Sequence, residues 1–367
     1  MSRIVIDARE WSTSSGRYVN SLVRQLETID TTRSYLILLK AKDIDSWEPI
    51  NQNFQKVACP HKEFTFGEQL GFKKQLDSLK PDLVHFSMAQ QPVLYRGKTI
   101  TTMNDLTTIR FRNPSKNFMV FTVKQMIYKW LNKQVAKKAT ALLTFSQFVK
   151  DDVVDFTGIS PEKVTVTPLA AEPIAEPAEP IKTLVGKQFL MYVGRPTPHK
   201  NLERLIEAFE LLKARHPDLK LVLAGKKDAN YRRIEENIQK SAIKGVVLTD
   251  FVSEGQLRWL YEQCAAYVFP SLSEGFGLPG LEAMAHGAPV VSSNATCLPE
   301  VYGQAARYFD PLDVQNMADA IDEVLTDKNL RGNLVRRGRQ QIKKYSWQQT
   351  AEQTLEVYDQ VLDKQQD

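Results

Sequence analysis

Cysteine is scarce in this chain: Cys59, Cys264 and Cys297 are three among 367 residues, and none pairs with another in a CxxC spacing. An odd, scattered set supports neither a disulfide framework nor a cysteine zinc site, and it fits a reducing, cytoplasmic setting. The five histidines show no ligand spacing either. Apolar runs of roughly 18 residues, the length a membrane span needs, are missing. The opening MSRIVIDARE places a charge before a short strand-like run, which is not the layout of a signal peptide. The GxGxxG pattern of a dinucleotide fold is absent, as is any nucleic-acid recognition motif. Acidic residues are lacking from Leu106 to Lys150, where nine residues are basic.

What is present is the composition of a globular protein, 43% hydrophobic and 25% charged, with length enough for two buried cores. The net charge of +5 is unevenly spread, at +8 over residues 1–170 and −3 over the remainder. That asymmetry bears on the partner of the first half. Its centre is residues 117–138, NFMVFTVKQMIYKWLNKQVAKK, which mix aromatic and aliphatic side chains with five lysines and no acid. A basic, partly amphipathic helix of this kind docks on anionic membrane surfaces, or else it is a domain helix with one apolar side in the core.

Strand-like and helical stretches alternate along the chain. Residues 3–6 form a strand ending at Asp7. The turn SerThrSerSerGlyArgTyr follows, and Gly16 opens a helix with Val19, Leu22, Val23 and Leu26 on one face. Further strands are expected at Tyr35–Leu39, Asp82–Phe86, Thr99–Thr102 and Ala141–Phe145. Alternation of this sort argues α/β architecture with parallel sheets covered on both faces. Residues 164–182 pass from a short strand into four prolines set among Ala and Glu, a stiff extended linker at a domain boundary. The pattern then restarts with a strand at Phe189–Val193. A loop from Gly194 follows, then a helix capped by Asn201, a strand ending in Gly225 and Lys226, and a helix after Val252 and Ser253.

The stretch Tyr267–Val291 organises the second half. A short strand stops at Pro270, a loop presents Glu274, Gly275, Phe276 and Gly277, and Pro279 sits in the first turn of a helix that carries Glu282. A glycine loop entering a helix aims free N–H groups at an anion. Carboxylates do not bind phosphate, so Glu274 and Glu282 suit sugar or ribose hydroxyls. Together these residues read as a nucleotide-sugar site.

FPSLSEGFGLPGLEAMAHGAPVVSSN, with the upstream YVGRPTPHKNLERLIEAF, resembles the retaining glycosyltransferases of family 4, and within them the mannosyltransferase-like branch. The resemblance implies the GT-B fold, two Rossmann-like domains facing a central cleft. It places an acceptor-binding domain at 1–172 and a nucleotide-sugar-binding domain at 183–345, with a helix at 346–367 returning to the first domain. It implies that Arg195 and Lys200 clamp the donor diphosphate, that Glu274 contacts the donor sugar and that Glu282 holds the ribose. The amides of Phe276, Gly277 and Leu278 would bind hydroxyls and phosphate, Val252 would lie by the base, and Gly16, Gly194, Gly225 and Lys226 would line the donor site. The family often has histidine where this chain has Asn104, so a positioning role rather than a general base is expected there. It often has two glycines where this chain has Ser15 and Gly16, so that loop approaches its ligand less closely.

The implied reaction is retaining transfer of a hexose, mannose from GDP-mannose first, to a glycan or lipid-linked acceptor, with no metal or other cofactor. The setting is cytoplasmic, peripheral on the inner face of the cell membrane. A sugar-nucleotide epimerase of the same fold and a catalytically idle membrane- or glycan-binding paralogue are the alternatives.

Overall fold

The computed structural model describes residues 1–13, 16–63, 65–111 and 118–363. Ser15, one half of the expected turn beside Gly16, and Asn117, the first residue of the basic segment, lie outside the described residues. The chain divides into two units: Met1–Ile109 with Lys116–Leu169 and Ser346–Asp367, and Ala170–Tyr345 with Arg110–Ser115.

The first unit is a seven-stranded parallel sheet. Its strands are β1 Arg3–Asp7, β2 Ser34–Leu39, β3 Phe54–Ala58, β4 Leu83–Phe86, β5 Thr99–Thr102, β6 Ala141–Thr144 and β7 Val164–Val166, in spatial order β3-β2-β1-β4-β5-β6-β7. The central strands are apolar on both faces, as parallel strands covered by helices must be; Ile4, Val5 and Ile6 are fully buried. The helices are α1 Gly16–Ile29, α2 Lys73–Leu79, α3 Thr107–Arg110, α4 Phe118–Lys138 and α5 Gln147–Thr157. A single π-turn, Glu68–Phe72, runs into α2. Strand order reverses between β1 and β4, so ligands of such a sheet gather beyond the carboxyl ends of these strands.

The basic segment does form a helix, α4, but its apolar residues are not all core. Val135 and Ala136 are buried, whereas Met126, Ile127 and Trp130 are 58%, 56% and 56% exposed.

The second unit is a six-stranded parallel sheet of β8 Phe189–Val193, β9 Lys220–Ala224, β10 Val246–Asp250, β11 Ala266–Phe269, β12 Val290–Ser293 and β13 Ala306–Phe309, in order β10-β9-β8-β11-β12-β13. Its helices are α6 Leu202–Lys213, α7 Ala229–Lys240, α8 Glu254–Gln263, α9 Leu278–Ala285, α10 Leu298–Tyr302, α11 Val314–Thr326 and α12 Lys328–Gln341. Here the order reverses between β8 and β11. The Arg195 loop leaves β8 and the Glu274 loop leaves β11, so the switch point brings two sequence-distant motifs to one place.

The boundary between the units falls at Leu169, inside the proline-rich stretch, and beyond it the extended chain is pinned along the second unit. Glu179 accepts from Ser253 Oγ at 2.9 Å and Gln256 Nε2 at 3.2 Å, and Arg258 donates to the carbonyls of Ile174 and Glu176. Asn201 precedes α6 in a left-handed conformation and makes no side-chain cap. Its buried amide donates instead to the carbonyls of Pro270 (3.0 Å) and Pro311 (2.7 Å), tying the β8 loop to the end of β11.

The last helix, α13 Trp347–Asp363, packs on the first unit against α1 and β4. Tyr358 from α13 meets His85 Nδ1 at 2.7 Å, His85 Nε2 meets Thr102 Oγ1 at 2.9 Å, and Thr102 meets the Tyr18 hydroxyl at 3.1 Å. All four side chains are buried, and burial pushes the His85 imidazole down to about 3. The unfolded chain protonates this histidine near pH 6.5, whereas the folded chain resists until about pH 3. The first unit therefore loses stability as pH falls between those values, by up to about 1.4 kcal/mol per pH unit. Urea melts from pH 7 to pH 4 should show that loss, and His85→Gln should flatten it; an equally steep profile in the variant would refute the assignment to His85.

Candidate functional site

The site in the second unit is built at the carboxyl ends of β8, β9 and β11. Gly194 follows β8 and Gly225 follows β9, with the Gly194 N–H donating to Ala224 O at 3.0 Å. Gly225 has φ +157°, and a Cβ there would stand 2.4 Å from the Gly194 carbonyl. The two strand ends thus approach each other as closely as backbone allows, leaving room above them for a ligand. Lys226 is exposed just beyond, Val252 is half-buried, and Asp250 accepts the Lys227 N–H at 2.8 Å.

Arg195 is exposed, and its guanidinium has no hydrogen bond or ion pair among the described residues. Lys200, on the short helical turn Pro198–Lys200, is different: its Nζ lies 2.6 Å from Glu274 Oε1, both side chains being less than one-fifth exposed. The structure thereby joins the two loops through the pair that the sequence reading had assigned to diphosphate and sugar separately. Lys200 also lies 5.7 Å from the centre of the Phe269 ring at the end of β11.

The Glu274 loop enters α9 through Gly277, whose φ is +93°. A Cβ at Gly277 would sit 2.5 Å from both Leu298 Cδ2 and the Tyr302 hydroxyl, and that hydroxyl donates to the Gly277 carbonyl. Only glycine fits this turn. Phe276 buries its ring edge-on against Tyr345, which leaves its backbone rather than its side chain to face a ligand. Among the described residues the N–H groups of Phe276 and Gly277 have no acceptor. Two free amides beside the first turn of α9, which begins at Leu278 and holds Pro279, form an anion-binding end. Glu282 lies in the second turn of α9 rather than the first, so the helix dipole alone does not account for it. It accepts from the Tyr261 hydroxyl at 3.1 Å.

In the first unit, Gly16 starts α1, where a Cβ would stand 1.7 Å from the Glu10 carbonyl. Asn104 follows β5, and its Oδ1 is buried with no hydrogen-bond partner among the described residues. Two residues that sequence reasoning did not single out also shape the site. Thr296 and Cys297 grip the Glu274 backbone from 22 and 23 residues downstream, and no local pattern marks them.

Residues 176–341 match the family model of glycosyl transferases group 1. This part of the chain is a glycosyl transferases group 1 domain. The chain is 29% identical over 277 residues to O-antigen chain mannosyltransferase B of Escherichia coli, covering 71% of this chain and 70% of that protein. It is 33% identical over 249 residues to the serotype-specific mannosyltransferase WbdA of E. coli, covering 63% of this chain but only 30% of that longer enzyme. Among solved structures, sucrose-phosphate synthase from Thermosynechococcus elongatus superposes with a TM-score of 0.78 at 17% identity, over 99% of this chain and 100% of that one. Anabaena HepE in complex with UDP and glucose gives 0.73 at 15% identity, over 98% of this chain and 99% of that one. These superpositions show the GT-B fold. The glycosyltransferase reading stands, and neither the epimerase nor the idle binding module is favoured by these relatives.

Proposed function

We propose that this glycosyltransferase moves a hexosyl group, mannose from GDP-mannose in the first instance, onto a glycan or lipid-linked acceptor with retention at the anomeric carbon. The observation that carries the reading is the meeting of the Arg195–Lys200 loop, the Glu274 carboxylate and the free amides before α9 at the switch point of one sheet.

In the reaction the bond between the anomeric carbon and the diphosphate oxygen breaks, and a bond from the acceptor oxygen to that carbon forms. Negative charge grows on the leaving diphosphate, and the acceptor proton passes to it on the same face of the sugar. Arg195 binds two phosphate oxygens in a fork and Lys200 acts as a point charge, so the growing charge meets cations already in place, with no metal called for. The N–H groups of Phe276, Gly277 and Leu278 bind phosphate and sugar oxygens. Glu274 accepts from sugar hydroxyls, and Glu282, steadied by Tyr261, accepts from the ribose. Gly194, Gly225 and Lys226 admit and border the nucleotide, and the Val252 backbone lies by the base. Asn104 Oδ1 gains the donor it lacks from a substrate hydroxyl, a positioning contact that needs no proton transfer. Gly16, pressed against the Glu10 carbonyl, lets the chain turn directly into α1.

The test is a panel of UDP-, GDP- and ADP-sugars followed by donor hydrolysis and thermal shift. Turnover and stabilisation with GDP-mannose are expected above the other donors. Turnover restricted to UDP-sugars would overturn the mannosyl assignment, and turnover of none would overturn the transferase reading itself.

The finer setting proposed is peripheral, on the anionic inner face of a cell membrane, through residues 117–138. Support comes from α4, where exposed Met126, Ile127 and Trp130 stand among Lys124, Lys129, Lys133 and Lys137. Apolar side chains that insert beside lysines that pair with headgroups are the chemistry of interfacial helices. Binding to vesicles containing anionic phosphatidylglycerol should exceed binding to neutral vesicles and weaken with salt, and Trp130→Ala should reduce it. Equal binding to both vesicle types would refute the proposal.

A further inference from the structure

Thr296 has a backbone φ of +55°, a left-handed conformation that a β-branched side chain adopts only against steric cost. Glycine would fit this turn with no such cost, so the threonine supplies something that glycine lacks. Its Oγ1 accepts the Glu274 N–H at 3.1 Å. The next residue, Cys297, points its Sγ at the Glu274 carbonyl from 3.3 Å. Burial, and next the Glu274 carboxylate, push the Cys297 thiol well above its ordinary range, so it remains a protonated donor. Two consecutive side chains thus hold both polar groups of one backbone residue, the residue whose carboxylate reaches Lys200.

We propose that Thr296 is a positioning residue for Glu274, and that its strained backbone persists because it aims the hydroxyl at the Glu274 amide. With N–H and carbonyl both fixed, Glu274 has only its side-chain torsions free. The loop that follows, with the free amides of Phe276 and Gly277, starts from a fixed point. Loss of the hydroxyl releases the amide and lets the loop shift relative to Lys200. The effect falls on the alignment of the donor sugar against Glu274 and of the phosphates against the loop amides. That last step rests on the function proposed above, whereas the hold on the Glu274 amide does not.

Three variants separate the contributions. Thr296→Val keeps the shape and removes the hydroxyl, Thr296→Ser keeps the hydroxyl, and Thr296→Gly removes both hydroxyl and strain. Amide hydrogen exchange of the segment containing Glu274 should speed up about tenfold in the valine and glycine variants, the equivalent of one net hydrogen bond, and stay as in the wild type with serine. Transfer kcat should fall roughly 10–100-fold in the same two variants, the scale of a small misplacement at the reacting centre, and Thr296→Ser should restore it. Thr296→Gly should melt no lower than the wild type while still losing turnover, a pattern that a merely structural role would not give.

Wild-type exchange in Thr296→Val, or a serine variant as impaired as the valine variant, would overturn the inference. Should Thr296→Val fail to fold, Thr296→Gly decides: wild-type exchange of the Glu274 segment in that variant would likewise overturn it. If the wild type turns over no nucleotide sugar, the proposed function fails, and the exchange measurement alone settles Thr296.

Discussion

Lys200→Ala is expected to lower kcat by roughly 10²–10³, the scale for one preorganised charge stabiliser, with the fold intact. The geometry argues for a loss beyond that of a solvated cation. Lys200 already faces Glu274 at 2.6 Å, so its removal leaves a partly buried carboxylate alone where an anion must bind. Nucleotide affinity should therefore fall along with kcat. The reciprocal change makes the argument sharper. Glu274→Gln frees Lys200 from its partner, so GDP or UDP alone should bind more tightly, while transfer slows because the sugar hydroxyls exchange a charged acceptor for a weaker neutral one. The double variant should depart from the sum of the two, since contacting residues do not act independently. Steady-state kinetics and calorimetric titration of GDP and UDP check all three. An unchanged kcat in Lys200→Ala would remove Lys200 from the diphosphate site.

Ending the chain at Tyr345 is expected to abolish the cooperative folding of the first unit while the second still melts as a unit. The helix α13 buries Trp347, Ala351, Val357, Tyr358 and Val361 against the first unit. At roughly 1.5–3 kcal/mol for each large apolar side chain, the loss approaches the 5–15 kcal/mol that stabilises a whole domain. Polar ties go as well. Lys98 donates to Val361 O at 2.7 Å, Thr350 donates to Pro168 O, and Tyr358 contacts His85 in the core. The truncated protein would leave the buried imidazole without its phenol partner. Two transitions in the full chain and one in the truncated chain, followed by calorimetry, are the expected outcome. A first unit that still unfolds cooperatively would show that α13 is an accessory.

The local chemistry of the two motif loops was legible from residue order. Gly277 and Pro279 marked the turn into α9, apolar runs marked β1, β8 and β11, and the restart after the prolines marked a second sheet. The strands that periodicity passed over, β3, β10 and β13, are all sheet edges. An edge strand has a neighbour on one side only and can carry polar residues, as FQKVA does in β3, so the apolar run that betrays a central strand is missing. The same reasoning explains Asn201. Its position before α6 looks like a cap, but two carbonyls from Pro270 and Pro311 compete for its amide, and tertiary contact wins.

Residue order by itself determined the α/β class and the paired sheets, and it pointed to the groups proposed to face a nucleotide sugar. Each of these depends on interactions within a few residues: alternation of apolar runs, a proline in a first turn, a glycine where φ is positive. Only the tertiary structure decided that Lys200 and Glu274 form a pair, that Thr296 and Cys297 hold the glutamate backbone, and that Tyr358 of the last helix meets His85 in the first unit's core. Those contacts join residues tens to hundreds of positions apart, and they depend on which strands and helices the folded sheets set side by side, which no local pattern encodes.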